Sequence, residues 1–67
     1  MTDIRKGDTV LVVEGVHAGA EGTCVEIELK YDRETRTRGK RIEIQTGVDN
    51  DETPITITTR LAWVRKI

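Results

Sequence analysis

The sequence predicts one all-β domain, a small antiparallel barrel of five short strands spanning residues 1–67. Three observations carry that expectation. β-Branched Thr, Val and Ile recur in short stretches broken by glycine or charge. No window repeats apolar residues at the spacing of an amphipathic helix. And 67 residues leave room for only one core. Closure into a barrel is how an all-β chain this short avoids long exposed edges.

The first strand is expected over residues 9–13, entered through Lys6-Gly7-Asp8 and left at Glu14-Gly15. A loop spaced by glycines follows, from 15 to 22. From residue 23 the chain alternates, with Thr23, Val25, Ile27, Leu29 and Tyr31 on one face and Cys24, Glu26, Glu28 and Lys30 on the other. The first set is assigned to the core and the second to solvent, which leaves Cys24 partly exposed. A polar connection over 32–39 leads to a third strand over 40–46, where Ile42 and Ile44 alternate with Arg41, Glu43 and Gln45. These two strands are expected to form a hairpin. Residues 47–53 read as a turn, and Pro54 suits the first position of a strand, where no ladder donor is lost. Ile55 and Ile57 then alternate with Thr56 and Thr58, and a last short strand covers 62–66 with Trp63 in it as packing.

The segment from residue 6 to 27 has a logic of its own. Glycines at 15, 19 and 22 permit positive φ and close backbone approach, so the chain leaves one strand, curls and enters a bent second strand. The Gly7-Asp8 pair before the first strand, Gly15 at its end, then Gly19, Gly22 and Val25 make this segment resemble the KOW motif. That motif is shared by NusG-like transcription elongation factors and a ribosomal large-subunit protein family. The resemblance implies an SH3-like barrel and a non-catalytic module that binds RNA, a ribonucleoprotein or the transcription machinery. It also implies that the loop Gly15, Val16, His17, Ala18 and Gly19 is a partner-binding surface. This loop has neither the lysines of the ribosomal relatives nor the aromatic residues of the NusG-like ones.

Charge is nearly balanced, with 11 basic and 12 acidic side chains and a formal net charge of -1, so no global field draws the chain to nucleic acid. Local asymmetry is another matter. Arg33, Arg36, Arg38, Lys40 and Arg41 crowd the expected hairpin together with Lys30, against only Asp32 and Glu34. Several arginines on a projecting loop suit phosphate contacts, and they equally suit a solvated tip. Asp49, Asp51 and Glu52 in the next turn would cancel that field if they fold beside it, or equally mark opposite poles for self-association.

Catalysis is not expected. No carboxylate pair is placed for acid and base work, the lone Cys24 has no base in view, and a chain this short has few places for a deep cleft. One cysteine and one histidine provide neither a disulfide nor a zinc set. The sequence therefore predicts no cofactor, no metal, no small-molecule substrate and no membrane partner, in a cytoplasmic protein. Two functions are carried forward: RNA or ribonucleoprotein binding through the basic hairpin and the glycine loop, or protein docking through that loop and a sheet edge.

Overall fold

A computed structural model of the chain describes residues 4–67. Five strands form one antiparallel sheet: β1 (Thr9–Val12), β2 (Glu21–Asp32), β3 (Thr37–Val48), β4 (Pro54–Arg60) and β5 (Val64–Lys66). A 3-10 turn, Leu61–Trp63, joins the last two. Across the sheet the order is β4-β3-β2-β1-β5, so the chain's end returns to pair with its first strand, Val12 opposite Val64. This is the expected five-stranded SH3-like barrel. No helix among the described residues is long and apolar enough to cross a membrane.

Two glycines of the motif are needed for the first turn of the barrel. Gly15 has φ +85°, and a Cβ there would sit 2.5 Å from Cζ3 of Trp63, so the indole packs directly on the backbone at the end of β1. At Gly22 a Cβ would collide with the carbonyl oxygen of Gln45 and with Ile44, which is how β2 passes tightly across β3. Between them the loop closes on itself through Gly19 N–H to the Val12 carbonyl at 2.8 Å and Val12 N–H to the Ala20 carbonyl at 2.8 Å.

The core consists of Ile4, Val10, Val12, Cys24, Ile42, Ile44 and Val64, with Ala20, Ile27, Ile57 and Leu61 packed around it. Ile42 and Ile44 are fully buried, as their alternation predicts. β2 departs from its expected pattern. Cys24 is only 2% exposed, whereas Leu29 and Tyr31 are each 60% exposed. A β-bulge explains the first half of this correction. Cys24 lies opposite Ile44 and Glu26 opposite Glu43, so Val25 has no partner and the alternation restarts one residue late. Cys24 and Ile27 thereby face the same way although they are three positions apart, a step that ordinarily puts side chains on opposite faces. Burial and the nearby carboxylates of Asp8 and Glu26 push the Cys24 thiol above its ordinary range, consistent with a packing role.

The second half follows from lengths. β2 and β3 are 12 residues each, longer than expected for β3, because ladder bonds continue through the polar residues 37–39 down to Asp32 opposite Thr37. Their neighbours are shorter. β1 pairs with β2 only over Glu21, Gly22 and Thr23, and β4 pairs with β3 only from Arg41 onward. Residues 28–40 therefore form a two-stranded arm that stands clear of the barrel, and Leu29 and Tyr31 lie on it past the end of the core. The turn at its tip is residues 33–36, shorter than the expected 32–39 connection. Trp63 lies in the 3-10 turn rather than in a strand.

Candidate nucleic-acid interface

Register fixes what the arm presents on each side. Leu29 pairs with Lys40 and Tyr31 with Arg38, so these four share the face that carries Ile27 and Ile42 further in. Two exposed apolar side chains, one of them aromatic, are thus set beside two cations. Arg33 and Arg36 occupy the tip, Arg36 with φ 55°. All of Arg33, Arg36, Arg38 and Lys40 are exposed, and none is ion-paired to a described residue. The arm's field is consequently not neutralised by its own fold.

Arg41 differs from the other four. It lies on the opposite face with Glu28, and its Nη2 donates to Asp32 Oδ2 at 3.0 Å. Arg60, at the end of β4 directly opposite Arg41, donates to the same oxygen at 2.7 Å. The other oxygen, Oδ1, accepts the Glu34 N–H at 2.9 Å, closing a local turn at the base of the tip. Asp32 is only 8% exposed. The Glu34 amide first, then the Arg60 and Arg41 guanidinium groups, hold its carboxyl below the usual carboxylate range against the opposing effect of burial. Arg60 also stacks over Trp63, 4.8 Å from the ring centroid, and lies 3.5 Å from Glu34 Oε2. One carboxylate therefore locks the arm, the end of β4 and the 3-10 turn together.

A cleft of about 400 Å³ opens where β4 ends and leaves the edge of β3 uncovered, lined by Asp32, Thr35, Gly39, Lys40, Arg41, Arg60, Leu61 and Ala62. It arises because the arm outruns β4 and the chain turns away at Leu61.

The glycine loop precedes Glu21, the first residue of β2, while the arm's tip follows Asp32, the last. The two are nonetheless linked across the barrel: Gly15 packs on Trp63, over which Arg60 stacks while it holds Asp32 at the base of the arm. In the loop, Gly15, Ala18 and Gly19 are exposed, Val16 is 95% exposed at the apex and His17 is half-buried. The acidic turn lies at the other end of β3 from the arm's tip. Asp49, Asp51 and Glu52 follow Val48 at the end of β3, and Asp49 Oδ1 accepts the N–H groups of Asp51 and Thr53 at 2.9 and 3.0 Å. Of the two arrangements open in the sequence, opposite poles is the one adopted.

Sequence reasoning missed Tyr31 and Leu29 as surface residues and Arg60 as a partner of the hairpin. The signal for the first pair was available in their position beside the arginines, past the last glutamates of the strand. For Arg60 there was none, since the contact joins residues 28 positions apart. The chain matches no protein-family model, no curated protein and no solved structure.

Proposed function

We propose that this protein is a non-catalytic KOW-like module that binds RNA or a ribonucleoprotein through the β2–β3 arm. The observation that carries this reading is the set of four exposed, unpaired cations, Arg33, Arg36, Arg38 and Lys40, beside an exposed Tyr31. Such cations neutralise phosphates and release counterions, and an aromatic ring between them offers a face for an unstacked base. Arg41 serves the reading indirectly, by holding the arm to the barrel through Asp32. With the acidic turn at the far pole, attraction and repulsion act together to orient an approaching strand, arm first.

The test is a titration of the full chain with single-stranded and structured RNA at two salt concentrations. Affinity should fall steeply as salt rises, and Arg36→Ala with Arg38→Ala should weaken binding and flatten the salt slope by about two charges' worth. Tyr31→Ala should weaken binding to single strands by about 1–3 kcal/mol. No binding at low salt would remove the proposal.

A second reading has one observation in its favour, the nearly complete exposure of Val16 at the apex of the glycine loop. An apolar apex on a loop that is closed by its own hydrogen bonds suits docking to a protein. Because loop and arm present different side chains, with Val16 in the one and Arg36 and Arg38 in the other, their variants separate the readings. A partner held at high salt and lost with Val16→Asp, but unaffected at Arg36 and Arg38, would identify the loop as the working surface.

A further inference from the structure

The cleft at the base of the arm has a charge balance that its own residues do not complete. Lys40, Arg41 and Arg60 line it against Asp32, whose Oδ2 already serves both guanidinium groups, and with Glu34 Oε2 3.5 Å from Arg60 a local excess of one positive charge is left. Arg41 and Arg60 are mostly covered, with side chains 25% and 28% exposed, so water screens these two charges less than it screens the tip arginines. The edge of β3 from Thr37 to Lys40 has no strand beside it, which leaves backbone N–H groups there for an acceptor. Leu61 and Ala62 form an apolar side, and about 400 Å³ is within the range of small-molecule sites.

We propose that this cleft binds one phosphorylated nucleotide, its phosphate against Arg41, Arg60 and the β3 edge and its base against Leu61 and Ala62. The choice of a nucleotide over another anion rests on the RNA-binding reading of the adjoining arm. Two sources share this chemistry, a free nucleoside monophosphate and the terminal phosphate of a bound strand. Partial burial and two forked guanidinium groups favour a terminal phosphate, with its extra charge and free oxygens, over a bridging one.

Trp63 is the sole tryptophan and lies under Arg60, so its emission reports directly on the site. The full chain would be titrated at low salt with a nucleoside, its 5′-monophosphate, and a short oligonucleotide with and without a 5′-phosphate. Emission of Trp63 and the amide shifts of Gly39 and Ala62 would be followed. The expected result is a saturable change with the monophosphate, none with the nucleoside, and loss of the change in Ala62→Glu, which places a carboxylate at the exposed wall of the cleft. Lys40→Ala should weaken it several-fold, and circular dichroism would verify that both variants fold. A response to the 5′-phosphorylated oligonucleotide alone also supports the site and assigns the strand end as its occupant. The proposal is overturned if neither emission nor amide shifts respond to either phosphorylated ligand, or if the 5′-phosphate makes no difference. Binding of the unphosphorylated strand, sensitive at Arg36 and Arg38, would then remain as evidence for the arm alone.

Discussion

Asp32 shows how much one side chain can organise. A lone carboxylate on a two-stranded arm would ordinarily be solvated, but here it collects a backbone N–H and two guanidinium groups from separate strands. Its lowered proton affinity has a definite consequence for stability. A group whose pKa is depressed by folding stabilises the fold above its unfolded value, near 3.8 for this side chain, and loses that contribution as pH falls through the lower folded value. Asp8, lowered through the Arg5 amide and Lys66, acts in the same direction. Thermal melts should therefore show a midpoint that is level near neutrality and falls below about pH 4. Asp32→Asn should melt lower at pH 7 and lose less on acidification, leaving the Asp8 share. A wild-type midpoint indifferent to pH 3 would contradict the arrangement of charges around Asp32. Little of this was legible in the sequence: the acid and Arg41 are nine residues apart, a hairpin distance, but Arg60 arrives from a strand whose register only the folded sheet sets.

At the scale of elements, the strands themselves were legible because alternation over Ile42 and Ile44 and the β-branched run at 55–58 are direct expressions of a half-buried sheet. Glycine spacing marked the turn at Gly15 and the crossing at Gly22 for a reason that holds in the folded chain, since a Cβ at either position meets Trp63 or Gln45. What alternation could not convey is where a strand stops having neighbours. Leu29 and Tyr31 keep the core phase of β2, yet β1 and β4 end before reaching them. The difference is measurable by amide hydrogen exchange. Protection should be high where β3 is flanked on both sides, over residues 42–45, and much lower over 29–31 and 38–40, where two strands have only each other. Uniform protection along both strands would mean that something else covers the arm.

For the whole molecule, the margin is set by a small core. Among the described residues seven buried apolar side chains, none larger than isoleucine, form the core, helped by Trp63 over the glycine loop. Ile44 lies at the centre, paired with Cys24 on one side and Ile57 on the other. Ile44→Ala should cost about 2–5 kcal/mol in urea unfolding, a large part of the about 5–15 kcal/mol available to a domain. A loss under 1 kcal/mol would place the core elsewhere. Arm variants should leave the unfolding midpoint nearly unchanged, since Arg36 and Arg38 touch nothing in the core, and this separation allows surface chemistry to be altered without unfolding the barrel.

The unpartnered Val25 has an effect well beyond its own position. Had the strand kept strict two-residue phase through it, Glu26, Glu28, Lys30 and Asp32 would have followed Cys24 inward, and the tyrosine would have been turned to the opposite side. One inserted residue near the barrel's rim works like a half-turn of a screw. It decides whether the far end of the ribbon offers an aromatic ring or a carboxylate to whatever approaches from that side.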